Sequence, residues 1–125
     1  MRSLALVAAL AALSVLPLPA QAAAAVPTKV GQCVATSLKT IATRLEGVPD
    51  SGSLVIYANN IVGESYDTIK AITKAKVGDK ITLCLTSIPK GCPPGDNRGK
   101  FYSALDLRTH GKWNLPDAEH MCGGA

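Results

Sequence analysis

His110 and His120 are the two imidazoles of this 125-residue chain, so proton-transfer chemistry near neutral pH would have to be built on one of them. His120 stands close to Asp117 and Glu119, and a carboxylate beside an imidazole is the base-and-orienter half of a small hydrolase. Ser65, Ser87 and Ser103 supply hydroxyls. None sits in the Gly-x-Ser-x-Gly pattern that exposes a nucleophile on a sharp turn. The bland role of Asp117 is to cap the turn after Leu115-Pro116, and that of His120 is to sit beside a disulfide. A second polar group follows Pro93-Pro94-Gly95, where Asp96 and Arg98 could receive a ligand carboxylate or a sugar. Asp96 could equally accept backbone N–H groups of its own turn. EF-hand spacing is absent and Lys90, Arg98 and Lys100 crowd that loop, which disfavours calcium. No cofactor motif is present. The weight of the residues is on binding rather than catalysis.

Four cysteines, Cys33, Cys84, Cys92 and Cys122, make an even set. In a small exported domain that implies two disulfides. A zinc site using Cys122 with His120 and His110 lacks the close Cys pair such sites prefer. The pairing Cys84–Cys92 with Cys33–Cys122 is preferred over Cys33–Cys84 with Cys92–Cys122, because it staples a Pro-rich loop and ties the two ends of the domain.

The segment from Cys84 through Thr86-Ser87-Ile88-Pro89 to Cys92 resembles the inhibitory loop of Bowman–Birk protease inhibitors on Cys84, Ser87, Ile88, Pro89 and Cys92. The resemblance implies a disulfide-closed ring, Thr86–Ser87 as the reactive bond and Ile88–Pro89 as a rigid turn. A ring held in that way would lose little entropy on docking. The family's second proline is Lys90 here. The run Cys92-Pro93-Pro94-Gly95-Asp96 and the tail Leu115 to Gly124 look like a group of small exported bacterial proteins to which no activity is assigned. That resemblance implies export and nothing about activity.

The elements that must position these residues are strands. Lys80 to Ser87 alternates Ile81, Leu83 and Leu85 with Thr82, Cys84 and Thr86, the signature of a two-faced strand. Val30 to Leu45 is rich in β-branched residues and reads as one long, bent strand. Leu54–Ala58 and Ile61–Tyr66 form a hairpin about Asn59-Asn60, with Gly63 as its bulge. Asp67 to Ala75 makes a short helical turn capped by Asp67, with Ile69 and Ile72 on one face. Residues 88–99 are a loop, and Phe101–Arg108 and Lys112–Leu115 are two further strands. The expected fold is all-β: a five- to six-stranded, disulfide-stapled barrel of OB-like strand order, or a sandwich. Trp113 and Tyr102 belong to its core.

Residues 1–22 read as a signal peptide: Arg2, an apolar run from Leu4 to Leu16, Pro17 and Pro19, then Ala20-Gln21-Ala22 as the cleavage pattern. Residues 23–29 form a flexible arm, and 30–125 the single domain. Pro17 stops the apolar run short of a membrane span, so the mature chain has no transmembrane segment and is periplasmic or secreted. The whole chain carries 13 basic and 9 acidic residues. Lys70, Lys74 and Lys76, with Lys80 behind them, are the one local basic cluster. It reads as a solvated face with weak attraction to anionic surfaces. Nucleic acid is excluded as a partner, because no dense basic patch interleaved with aromatics exists. The expectation is a non-catalytic binding or inhibitory module of the bacterial envelope. Its contacts fall on Thr86, Ser87, Ile88, Pro89, Asp96 and Arg98, and its partner is an unidentified protein or envelope component. The alternatives are a serine protease inhibitor acting through the Cys84–Cys92 loop and a hydrolase using His120 with Asp117 or Glu119.

Overall fold

The computed structural model describes residues 11–17 and 25–124; the cleavage pattern at 20–22 lies outside them. Six strands and one helical turn follow in order: β1 (Cys33–Thr43), β2 (Ser53–Tyr57), β3 (Val62–Ser65), α1 (Lys70–Thr73), β4 (Lys80–Ser87), β5 (Phe101–Asp106) and β6 (Lys112–Pro116). All strand pairs are antiparallel, in the order β3-β2-β1-β4-β5-β6. The result is one curled sheet, a half-barrel, and not a two-sheet sandwich.

β1 is the hinge of this architecture. Its first half, Cys33–Ser37, pairs with β4, and from Leu38 onward it pairs with β2. The register slips between Leu38 and Thr40. An extra residue there sharpens the local twist and turns the strand from one partner to the next. A second slip falls between Leu85 and Ser87 in β4. Gly63, expected as a bulge, lies in an unbroken register between Ser53↔Ser65 and Ile56↔Val62. Its role is close approach instead. A Cβ at Gly63 would lie 2.9 Å from Val55 Cγ2 and 3.5 Å from Leu115 Cβ. The missing side chain lets the free edges, β3 and β6, draw together as the sheet curls.

Alternation puts Val55, Tyr57, Ile81, Leu83, Leu85, Tyr102, Ala104, Trp113 and Leu115 inside, with Leu38 and Ile72 completing the core. Burying Ile72 from α1 contributes about 1.5–3 kcal/mol. Trp113 Nε1 donates to the Tyr57 hydroxyl at 2.8 Å, which pairs the buried polar ends of two core rings. Burial pushes the Tyr57 phenol up to about 12, the bond from Trp113 working the other way. α1 is not capped by Asp67. Ser53 Oγ accepts the Ile69 N–H at 2.8 Å and donates to the Asp67 carbonyl at 3.0 Å, so the short helix hangs from β2. Of the leading arm, Pro27 is fully buried and Asn59 Nδ2 donates to the Ala25 carbonyl at 3.0 Å.

The disulfides are Cys33–Cys84 and Cys92–Cys122. This overturns the preferred pairing and installs its alternative. The cause is strand register. Cys33 stands directly opposite Cys84 in the β1–β4 ladder, and Cys84, between inward Leu83 and Leu85, points outward with it. Residues 84–92 therefore do not close into a ring. Cys92 instead fastens the 88–99 loop to the carboxyl-terminal tail.

Candidate functional site

The two faces of β4, β5 and β6 carry opposite chemistry because side chains alternate across a strand. The inner face is the core. On the outer face stand Thr82, Cys84 and Thr86 from β4, Phe101, Ser103 and Leu105 from β5, and Lys112 and Asn114 from β6. The registers Thr82↔Leu105↔Lys112 and Cys84↔Ser103↔Asn114 align them in cross-strand rows. Small residues at the centre leave a groove of about 480 Å³ lined by Thr82, Cys84, Ser103, Ala104, Leu105, Lys112, Trp113 and Asn114. Its walls are mostly apolar. Its polar groups are two hydroxyls, one carboxamide and one ammonium.

Thr86 borders this groove. Its hydroxyl donates to the Phe101 carbonyl at 3.1 Å and lies 3.2 Å from Asn114 Oδ1. The single hydroxyl proton is shared between these two acceptors, and the Asn114 NH₂ group has no partner among the described residues. Ser87 and Ile88 are exposed just beyond, and Pro89 is half-buried. With Cys84 bonded to Cys33, the constraint that would present Thr86–Ser87 as a rigid reactive bond is missing.

Asp96 and Arg98 are brought together, but they serve each other. Arg98 Nε and Nη2 donate to the two Asp96 oxygens, each at 2.9 Å. Asp96 also accepts the Gly123 N–H at 2.9 Å, and Arg98 donates to the Gly124 carbonyl at 3.1 Å. Led by the Arg98 hydrogen bonds, these contacts hold the Asp96 carboxyl well below the usual carboxylate range. The pair, with Cys92–Cys122, locks the Pro-rich loop onto the tail, and neither charge is left for a ligand.

The two carboxylates of the hydrolase alternative are also engaged. Asp117 Oδ1 accepts the N–H groups of Gly99 and Lys100 at 2.8 and 3.1 Å. Glu119 pairs with Arg44, whose guanidinium lies 4.3 Å from the centroid of the exposed Tyr66 ring. His120 Nε2 stands 3.9 Å from Glu119 Oε2, too far for a hydrogen bond. A concavity of about 190 Å³ lies beside them, lined in part by Glu64, Tyr66 and Glu119. Burial, and then the nearby Glu119 charge, raise the Glu64 carboxyl. Among the described residues no group of three or more His, Cys, Asp or Glu side chains is placed to hold a metal ion.

Sequence reasoning put the candidate binding residues between Thr86 and Arg98 and did not single out Thr82, Ser103, Leu105, Lys112 and Asn114, which the sheet gathers in one groove. Alternation in β4 already marked Thr82 and Cys84 as outward. What sequence could not supply was the register that sets Ser103 and Asn114 beside them. Compared with known proteins, the chain matches no family, no curated protein and no solved structure.

Proposed function

We propose that this chain is an exported, non-catalytic binding module of the bacterial envelope, taking its ligand in the outer groove of β4–β6. The observation that carries the reading is the groove itself: about 480 Å³ of mostly apolar surface on the solvent side of a rigid sheet. Pockets of this volume, apolar with a few fixed polar groups, are the usual form of a ligand site. Two disulfides support the exported setting, and no helix is long and apolar enough to cross a membrane among the described residues. The ligand has an apolar body and a hydrogen-bonding or anionic edge, matching Leu105 and the Cys33–Cys84 bridge against Ser103, Asn114 and Lys112.

The test is retention of envelope components on immobilised mature protein, comparing wild type with Ser103→Trp, which fills the groove from its floor. Components held by wild type and released by the variant, with the circular dichroism unchanged, support the site. Equal retention by both proteins places binding elsewhere, and loss of binding only in His120→Ala favours the hydrolase alternative.

A further inference from the structure

We propose that the pocket between α1 and the β5–β6 turn binds a phosphoryl oxyanion. It encloses about 300 Å³ and is lined by Lys70, Ala71, Lys74, Thr109, His110 and Gly111. This site is independent of the β4–β6 groove.

No carboxylate is among the residues that line the pocket. Lys70 and Lys74 lie one turn apart, the spacing at which like charges repel. Among the described residues neither has a carboxylate within salt-bridge distance. Of the acidic side chains on the neighbouring segments, Asp79 is engaged elsewhere. Asp79 is held by Arg108 at 2.7 and 2.9 Å and by the Lys76 N–H at 2.8 Å. Asp106 Oδ1 accepts the N–H groups of Arg108 and Thr109 at 2.9 and 3.2 Å; its carboxylate is fully buried, and Oδ2 has no hydrogen-bond partner. The Thr109 hydroxyl accepts the Gly111 N–H at 3.1 Å, which leaves its own proton to give. Lys70, Lys74, Thr109 and His110 border one concavity, and ammonium, hydroxyl and imidazole donors suit an acceptor-only, multiply charged ligand.

The walls are also built to stay put. Arg108 Nη2 donates to the Lys74 carbonyl at 3.0 Å, tying the end of α1 to the β5–β6 turn. A Cβ at Gly111 would lie 3.2 Å from Ala71 Cβ, so the two walls pack directly. At the rim His110 holds a left-handed backbone, with φ of 61°. Glycine adopts that conformation without cost, and histidine is, with Asn and Asp, one of the few L residues found there at all often. An imidazole kept at such a position points to a use for the ring.

The experiment is an amide NMR titration of the disulfide-intact protein with inorganic phosphate, against chloride at equal ionic strength. Phosphate-specific shifts are expected at Thr109, His110 and Gly111. Lys70→Gln/Lys74→Gln, which alters two exposed side chains that make no hydrogen bond among the described residues, should weaken binding about tenfold or more. His110→Gly should weaken binding while raising the urea midpoint, a combination that a merely structural histidine would not give. A second arm identifies the source of the group. Sedimentation with phosphatidylglycerol vesicles but not phosphatidylcholine vesicles, lost in the double lysine variant, assigns a lipid headgroup. Phosphate shifts without sedimentation assign a soluble phosphate ester. Phosphate shifts no larger than those of chloride, together with no lysine-dependent vesicle binding, overturn the proposal. So does a double lysine variant or a His110→Gly protein that binds as wild type does.

Discussion

Gly63→Ala tests how the curled sheet closes. The added methyl would sit 2.9 Å from Val55 Cγ2 and 3.5 Å from both Leu115 Cβ and Cδ1. Val55 is 0% exposed, so its methyl cannot swing into solvent. Overpacking of this kind costs roughly 1–3 kcal/mol. Restricting the unfolded chain returns about 0.4–1 kcal/mol, since the Gly63 backbone is not left-handed. The net expectation is a loss of about 1–2 kcal/mol. Val55→Ala alone leaves a cavity and costs about 2–3 kcal/mol. In the double variant the new methyl occupies space that Val55 has vacated, so the two losses fall short of adding by about 1 kcal/mol or more. The assay is urea unfolding of the four proteins with disulfides intact, at constant m-value. A neutral or stabilising Gly63→Ala, or strictly additive losses, would refute the argument that β3 and β6 meet over this residue.

Acid should act through Asp79. The Arg108 hydrogen bonds hold its folded carboxyl well below the usual range, so it contributes stability above the unfolded value of about 3.9. That contribution is lost as pH falls toward the depressed folded value. Asp79→Asn should therefore show a weaker acid dependence below about pH 4 than wild type, and parallel curves would contradict the assignment. Trp113→Phe leaves the Tyr57 hydroxyl unpaired in the core and should cost about 1–3 kcal/mol in urea unfolding; a neutral result would mean that the hydroxyl finds another partner. Cys92→Ser/Cys122→Ser opens a closure spanning 30 residues and should cost about 3–4 kcal/mol by loop entropy. Non-reducing peptide mapping of that variant should still yield the Cys33–Cys84 peptide.

Local pattern carried most of the fold. Lys80–Ser87 was legible to the residue because one side of it faces the core and the other faces water, and a period of two records that. Asn59-Asn60 announced its hairpin because Asn60 needs a left-handed backbone, with φ of 67°. What stayed hidden depends on partners distant in sequence. Asp96 and Arg98 resemble a ligand pair until Gly123 and Gly124 arrive beside them. Gly63 resembles a bulge until Leu115 packs over it. The cysteine pairing depends on Cys33 lying opposite Cys84, a property of register that composition does not contain. The same holds for Lys70 and Lys74 meeting His110. The lysines were visible as a cluster, but the histidine that joins them comes from another hairpin.

The bridges Cys33–Cys84 and Cys92–Cys122 follow one another along the chain and enclose separate stretches. For a polypeptide that emerges amino end first, this arrangement makes assembly sequential. Cys33 and Cys84 are both present before Cys92 and Cys122 appear, and the last two then have no partners but each other. An oxidant that joins thiols in order of arrival thus yields the native set directly. A nested arrangement would have required Cys33 to wait, and an isomerase to undo premature bonds. By dividing β1 between two partners and bonding its first half to β4, the fold makes its covalent topology a matter of timing, so a rapid disulfide-forming catalyst suffices for it to mature.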